Sequence, residues 1–199
     1  METKVKTPSY KEGLKDLKSN LTNMLPTDAL SVFDTDAEES EENFTDILKI
    51  QEGEIVDDFT LPNASGQSVN LNKLLEKSKV VLTFYRGTWC PYCNLQLAQY
   101  QKILPEITAL GATLVAVSPQ TPDESLNLKE KNELKFEVLS DVGNVVIRKF
   151  TKVFKYGDVP LNTMTDLGFN FDSHYGDDSR EIPVPAVFII DQDRNVIFA

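Results

Sequence analysis

Residues 79–93 read Lys-Val-Val-Leu-Thr-Phe-Tyr-Arg-Gly-Thr-Trp-Cys-Pro-Tyr-Cys, which predicts a buried strand that turns directly into a helix. Apolar side chains follow one another almost without interruption over 80–85, a pattern typical of a strand covered on both faces in a parallel sheet. The chain must turn at Gly87, and Pro91 suits the first position of a helix, where no amide hydrogen is needed. The two cysteines therefore stand at the carboxyl end of a strand, where open α/β sheets usually bind their ligands.

The flanking segments extend the same alternation of strands and helices. The helix after the cysteines is expected to bend or break at Pro105. Apolar runs at 113–117 and 136–139 predict two further strands, each followed by a helical pattern, and 186–190 with 196–198 predict a closing β-hairpin. This order predicts an α/β fold, a three-layer sandwich with a mixed central sheet.

The pattern changes near Gly53, where we place a domain boundary. Residues 9–25 predict an amphipathic helix that a proline ends. Six of the nine residues in 34–42 are acidic, which favours a solvated linker or an exposed helix face, with a docking surface as the alternative. We therefore expect an N-terminal helical extension with an acidic segment over 1–50 and a main domain over 51–199.

Two features of the C-terminal half depart from this alternation of strands and helices. Residues 156–183 show no clear period and contain several glycines, and so long a connection is usually functional or mobile. The chain ends at Ala199, within a predicted strand and with no helix to cover that face of the sheet. We expect from this that the domain is truncated at its C-terminus.

Composition excludes several classes of protein. Hydrophobic residues make up 41% and charged residues 26%, which is ordinary for a globular protein and excludes bulk disorder. A net charge of −11 without a local basic cluster argues against nucleic acid and anionic lipid as partners. No apolar run approaches the roughly 18 residues of a membrane span, and the first ten residues lack the apolar stretch of a secretory signal. A cytoplasmic protein is expected.

The two cysteines of the chain, Cys90 and Cys93, are the candidates for its chemistry. Cys90 falls at or beside a helix N-cap, where amides and the helix dipole favour a thiolate and should lower its pKa. Cys93 lies one turn further on, close enough for a disulfide, so the pair can cycle between dithiol and disulfide. Zinc would need four ligands, and the single histidine, His174, leaves the set one short unless a carboxylate joins. An inert buried pair is the other alternative; we expect neither metal nor cofactor.

Several segments resemble known families. Residues 89–93, followed much later by Val-Pro at 184–185 before a strand, resemble a thioredoxin-fold active site, in which a cis proline faces the cysteine pair. Asp-Phe-Thr-Leu at 58–61, Val-Leu-Thr-Phe-Tyr at 81–85 and Phe-Ile-Ile-Asp at 188–191 resemble the peroxiredoxins of the alkyl hydroperoxide reductase and thiol-specific antioxidant (AhpC/TSA) family. The chain is similar to the peroxiredoxin-like branch whose site reads Arg-Gly-x-Trp-Cys-Pro-Tyr-Cys.

The resemblance leaves the order of the two cysteines open. The peroxiredoxin motif Pro-x-x-x-Thr-x-x-Cys, placed on this chain, puts its proline at Arg86, its threonine at Cys90 and its peroxidatic cysteine at Cys93. The motif thus implies that Cys93 attacks and Cys90 resolves. Exposure at the helix terminus and similarity to thioredoxin imply instead that Cys90 attacks. For a peroxide substrate we favour Cys93.

Four further residues complete the candidate site. Arg86 is expected to stabilise the thiolate and polarise a peroxide, with a surface salt bridge as the alternative. Peroxiredoxins use an arginine just before the last hairpin, and Arg86 or Arg180 could supply that charge here. Trp89 is expected to shield and pack the redox loop that also contains Thr88. By resemblance, Pro185 is expected to be cis and to face the cysteines; an ordinary proline at a strand start is the alternative.

The resemblance implies a thiol-dependent peroxidase that reduces hydrogen peroxide or organic hydroperoxides and is reset by a thioredoxin- or glutathione-type reductant. It also admits a homodimer. The rival enzyme is a thioredoxin-like oxidoreductase acting on protein disulfides, favoured because Cys90 replaces the peroxidase threonine and Pro185 the arginine region. A third hypothesis is a redox-sensing interaction module whose residues 1–50 dock a partner.

Overall fold

The computed structural model describes residues 9–199, and it begins with two consecutive helices that we call the N-terminal helical pair. The first, α1 (Tyr10–Met24), starts after Ser9, whose hydroxyl accepts the Glu12 amide hydrogen at 3.2 Å and so caps the helix. The second, α2 (Thr27–Asn43), follows at once and carries the acidic residues, most of them exposed. The helix predicted over 9–25 is confirmed.

Beyond the pair, strands and helices alternate along the chain. In order, the elements are β1 (Thr60–Pro62), β2 (Ser68–Asn70), α3 (Leu71–Leu75), β3 (Lys79–Phe84), α4 (Pro91–Ala109), β4 (Ala112–Ser118), α5 (Pro122–Lys131), β5 (Glu137–Ser140), α6 (Ile147–Phe150), β6 (Val153–Lys155), α7 (Asp158–Asp166), a 3-10 helix (Phe171–His174), β7 (Glu181–Pro183), β8 (Ala186–Ile190) and β9 (Val196–Phe198).

The central sheet has five strands in the order β5-β4-β3-β8-β9. β3 lies at its centre, parallel to β4 and antiparallel to β8, with Phe84 opposite Val117 on one side and Ala186 on the other. β5 continues the parallel half, and β9 closes the antiparallel half as a hairpin with β8. The mixed sheet and the closing hairpin predicted from sequence are confirmed.

Alternate side chains of the strands face two separate cores. On one face Leu82 and Val115 pack with residues of α3 and α6. On the other face Leu114 and Val138 pack with Leu97 of α4 and with α5. Because helices cover both faces, β3 is almost continuously apolar, and the molecule is the predicted three-layer sandwich.

The N-terminal helical pair packs directly on this sandwich. α1 lies on α4, and α2 lies on α7. Gly13 marks the close approach of α1, since a Cβ built there would lie 3.0 Å from both Leu95 Cδ1 and Gln99 Nε2. The pair therefore covers the side of the molecule from which α4 begins. None of the helices within residues 9–199 combines the length and the hydropathy that a membrane crossing requires.

The structure corrects two expectations about local structure. α4 does not break at Pro105 but continues to Ala109. The proline is exposed, while Leu104 and Ile107 beside it pack on the core, so tertiary contacts outweigh a local cost of about 3 kcal/mol. Residues 156–183, which show no period in sequence, contain α7, the 3-10 helix and β7. Short elements of this kind are held by a shared apolar core. Each contains too few residues for a periodic pattern to be detected in the sequence.

Candidate active site

The cysteine pair lies where β3 passes into α4. Cys90 is the N-cap of α4, and its Sγ accepts the Cys93 amide hydrogen with an N–S distance of 3.3 Å. Both are free thiols, and only 5% of Cys90 and 4% of Cys93 is exposed. A cap position aims the unpaired amides of the first helical turn at the Cys90 sulfur, which suits a negative charge there.

The two thiols have opposite electrostatic environments. A hydrogen bond from the Cys93 thiol is the main reason that the pKa of Cys90 is lowered, and the Arg86 charge acts in the same direction against the effect of burial. Donating that bond, together with burial, raises the pKa of Cys93 well above its ordinary value. Of the two sulfurs, Cys90 is therefore the one that loses its proton more readily. These electrostatics favour Cys90 as the attacking sulfur, whereas the peroxiredoxin motif favours Cys93.

A fully buried glutamine fixes the loop that precedes the cysteines. Gln120 Oε1 accepts the Thr88 amide hydrogen at 2.7 Å, and its Nε2 donates to the Thr88 hydroxyl at 3.1 Å. Asn94 of α4 donates to the Thr88 carbonyl at 2.7 Å. A Cβ at Gly87 would lie 2.9 Å from Gln120 Cδ, so the glycine permits this close approach. Thr88 therefore anchors the loop through Gln120.

Trp89 is held by residues that sequence reasoning did not single out, among them Tyr175, which is the bridge partner of Gln120. Its Nε1 donates to the Tyr175 hydroxyl at 2.6 Å, and that hydroxyl donates to the Arg86 carbonyl at 3.0 Å. The indole stacks on Tyr156 with a centroid distance of 5.6 Å and an interplanar angle of 29°. Phe171 packs against it as well, at 5.3 Å. Trp89 thus packs the redox loop against the segment 156–183.

Gln120 and Tyr175 could have been found only in part. Gln120 comes directly after an apolar strand, at the sheet edge where β3 also ends, and that position was the available signal. Tyr175 lies in a segment whose sequence shows no period, so nothing in the sequence placed it beside Trp89.

Arg86 lies beside the Cys90 thiolate and lowers its pKa. Its guanidinium carbon is 5.7 Å from the centre of the Phe154 ring. Its Nε is buried and has no hydrogen-bond partner among residues 9–199. Asp36 of α2 is near enough for the Arg86 charge to oppose the rise in the Asp36 pKa that burial causes. Arg86 forms no ion pair within the described residues, in contrast to the surface salt bridge considered as its alternative.

Two sequence expectations about this site are wrong. Every peptide bond within residues 9–199 is trans, so Pro185 is not a cis proline. It is exposed and lines a separate groove with Ile47 and Phe198. Thr151 fixes this orientation because its hydroxyl donates to the Val184 carbonyl at 2.9 Å.

Arg180 does not supply the charge of the site. Its guanidinium pairs with Asp172 at 2.8 Å and with Asp158 at 3.7 Å. Among the two arginines considered, Arg86 is the one beside the cysteines.

A cavity of about 440 Å³ opens beside Cys90, and we call it the Cys90 cavity. The N-terminal helical pair forms one wall, and α7 with the residues after it forms the opposite wall. The lining is mostly apolar and aromatic, with Asp34, Asp36 and Arg86 as its charged members. Within residues 9–199, no group of three or more His, Cys, Asp or Glu side chains is arranged to hold a metal ion.

Comparison with known proteins identifies a family for residues 53–199. The model of the AhpC/TSA family matches residues 53–199. A Mycobacterium tuberculosis protein named as a peroxiredoxin is 24% identical over 155 residues, which are 78% of this chain and 87% of that protein. Peroxiredoxin Bcp of Escherichia coli is 28% identical over 101 residues, 51% of this chain and 64% of that one.

Among solved structures, the crystal structure of peroxidoxin BcpB from Mycobacterium tuberculosis is similar, with a TM-score of 0.58 and 25% identity. The similarity covers 74% of this chain and 82% of that one. The family match begins after α2, so the Cys90 cavity has one wall inside the matched region and one wall outside it.

Proposed function

This chain belongs to the AhpC/TSA family and is a peroxiredoxin-type oxidoreductase, and we propose that its thiol-dependent peroxidase cycle runs through Cys90 and Cys93. The observation that carries the proposal is the position of Cys90, whose pKa is lowered, at the N-cap of α4 and in the lining of a cavity that also includes Arg86. In this proposal Cys90 attacks the peroxide and Cys93 resolves.

The chemistry follows from the charge distribution of the pair. The Cys90 thiolate attacks one peroxide oxygen; an S–O bond forms, the O–O bond breaks, and the leaving oxygen takes up a proton to give water or an alcohol. The guanidinium charge of Arg86, which lines the cavity, stabilises the negative charge that passes onto the oxygens. Cys90 is now a sulfenic acid, oxidised by two electrons.

Cys93 completes the cycle from one helical turn away. Its sulfur attacks the sulfenic sulfur, an S–S bond forms, and water leaves. A dithiol reductant then returns two electrons by thiol–disulfide exchange. The family implies a thioredoxin-type reductant, and we propose a glutathione-type thiol as the alternative, distinguished by measuring peroxide consumption with each reductant supplied alone.

Single cysteine variants test which sulfur attacks. After one equivalent of hydrogen peroxide, we expect Cys93→Ser to accumulate a sulfenic acid on Cys90, because the resolving sulfur is missing. We expect Cys90→Ser to react much more slowly, because Cys93 is only 4% exposed and its burial still raises its pKa when the Cys90 sulfur is absent. The measurement is dimedone trapping followed by mass spectrometry of the labelled peptide. Rapid labelling of Cys93 in Cys90→Ser would show that the order implied by the peroxiredoxin motif is right.

A second candidate function is the reduction of protein disulfides. It is favoured by the same pKa order, since a first cysteine with a lowered pKa and a second cysteine with a raised pKa serve thiol–disulfide exchange equally well. It is disfavoured because both thiols are buried beside the N-terminal helical pair, where a protein disulfide could not reach them without movement. Insulin reduction without any response to peroxide would establish this function in place of the peroxidase.

A further inference from the structure

The wall of the Cys90 cavity that lies outside the family match is formed mainly by α2, together with Leu21 of α1 and Leu25. Leu30, Phe33, Asp34 and Ala37 line the cavity and follow the spacing i, i+3, i+4, i+7, which places their side chains on one stripe of the helix. Three of the four are apolar. This stripe faces the cavity because α2 packs against α7, whose Met164 belongs to the opposite wall.

The cavity is much larger than the smallest peroxide requires. A water molecule takes about 30 Å³ of liquid volume, and hydrogen peroxide, with two oxygens, takes about twice that. The 440 Å³ available fall within the range of about 300–1,000 Å³ that small-molecule sites occupy. A hydroperoxide that carries an apolar group would fill this volume and remove apolar surface from water.

The charged residues of the cavity favour a hydroperoxide whose organic group is uncharged. Arg86 already faces the Cys90 thiolate, which offsets its charge. Asp34 and Asp36 lie on the α2 side, where the apolar part of a substrate would pass, and would repel a carboxylate. The Arg86 side chain lines the cavity and supplies the positive charge that a peroxide oxygen would meet beside Cys90.

We propose that the N-terminal helical pair makes this peroxidase selective for uncharged organic hydroperoxides, with Leu30, Phe33 and Ala37 as the residues that contact the apolar group of the substrate. The proposal rests on the function proposed above. The Cys90 thiolate takes the terminal oxygen of the hydroperoxide, the O–O bond breaks, and the remaining alkoxide leaves as the alcohol after taking up a proton. The oxidised product is the Cys90 sulfenic acid.

The test fills the cavity from α2 without touching the cysteines. Ala37 lines the cavity and is exposed, so we expect the ring of Ala37→Phe to take up part of the neighbouring cavity space, while hydrogen peroxide still fits beside Cys90. We expect the rate constant for oxidation by cumene hydroperoxide to fall at least about tenfold, and the rate constant for hydrogen peroxide to stay within about twofold. Both are measured by rapid mixing of the reduced full chain, with the fluorescence of Trp89, the single tryptophan, as readout.

A control variant and a milder variant show whether the effect of Ala37→Phe is specific to the cavity. Thr35 is exposed on the opposite face of α2, so Thr35→Phe should change neither rate constant. Ala37→Leu should lower the cumene hydroperoxide rate selectively but less, and it decides the question if Ala37→Phe does not fold. A cumene hydroperoxide that carries a para carboxylate should react more slowly than its neutral parent with the unsubstituted chain.

The outcomes separate this inference from the proposed function. If the native chain is oxidised by neither hydroperoxide, the peroxidase function itself fails. If hydrogen peroxide oxidises it but the Ala37 variants leave the cumene hydroperoxide rate unchanged, or slow both substrates alike, the specificity role of α2 is overturned and the peroxidase function stands. Equal rates for the neutral and the carboxylated substrate would overturn the preference for uncharged groups.

Discussion

The reactivity of the Cys90 sulfur depends on very few atoms around it. The Cys93 thiol, the Arg86 guanidinium and the amides of the first turn of α4 lower its pKa, and burial opposes them. Since the thiolate is the nucleophile, the rate of oxidation should rise with pH through this lowered pKa. The rate should therefore reach its plateau at a lower pH than it would for an ordinary thiol, whose pKa is about 8.5.

Removing the arginine charge should make the sulfur less reactive at neutral pH. In Arg86→Met we expect the inflection of the pH–rate profile to move to higher pH, because a charge that stabilises the thiolate is lost. The rate constant at pH 7 should fall at least about tenfold, because a rise of about one unit in the pKa of Cys90 lowers its thiolate fraction by that factor. The thiolate absorbance near 240 nm measures the shift independently of peroxide.

Two companion variants control this prediction. Arg86→Lys should recover part of the shift, since the charge returns without the planar donors. Arg180→Met should leave the profile in place, because Arg180 is paired with Asp172 away from the cysteines. An unchanged inflection in Arg86→Met would mean that the helix amides and the Cys93 thiol lower the pKa of Cys90 without help from Arg86.

Among the elements, the loop between β3 and α4 depends on neighbours that are distant in sequence. Gln120 after β4 holds its Thr88 amide, and Tyr175 after the 3-10 helix holds its Arg86 carbonyl. The loop is therefore a rigid support for Cys90, and its rigidity comes from the packing of three separate segments. Such support keeps a reacting sulfur in place without further ordering during the reaction.

Gln120→Leu should weaken both the fold and the site. The substitution leaves the buried Thr88 amide without its acceptor, which costs about 1–3 kcal/mol in the free energy of unfolding. Urea unfolding measures the loss, and the oxidation rate should fall because Cys90 is less well positioned. Gln192→Leu, at an exposed turn, is the matched control and should change stability by less than about 0.5 kcal/mol.

For the molecule as a whole, an aromatic cluster joins the layers beneath the site. Phe84 of β3 lies 5.1 Å from Phe150 of α6, which lies 5.3 Å from Phe188 of β8. These ring centroid distances are those of favourable aromatic pairs, and all three rings are almost fully buried. The cluster therefore connects the central strand, its antiparallel neighbour and a covering helix.

Phe150→Ala should be strongly destabilising. A cavity at this point costs about 3–5 kcal/mol, a large part of the 5–15 kcal/mol of a typical domain. Thermal and urea unfolding should both show the loss. Phe198→Ala, at a residue that is 50% exposed on β9, should cost much less. Equal losses in the two variants would contradict the view that the cluster is the centre of the core.

The main domain could be predicted well from the sequence because its signals are local. The apolar run at 80–85, the proline at the start of α4 and the alternation of strands with helices follow from the chemistry of neighbouring residues, and the cysteine pair with its helix N-cap follows from them. Its resemblance to the AhpC/TSA family rests on the same segments, and the family match confirms it.

Only the tertiary structure decided where Pro185 lies and what surrounds the site. The lowered pKa of Cys90, which its helix N-cap position predicts, also depends on the Cys93 thiol and the Arg86 guanidinium. The loop before it is held by Gln120 and Tyr175, which lie 32 and 86 residues from their partners. The cavity needs α2 to pack on α7, more than a hundred residues away in the chain. Periodicity reports which face of an element is apolar, but the packing of distant elements determines what that face meets.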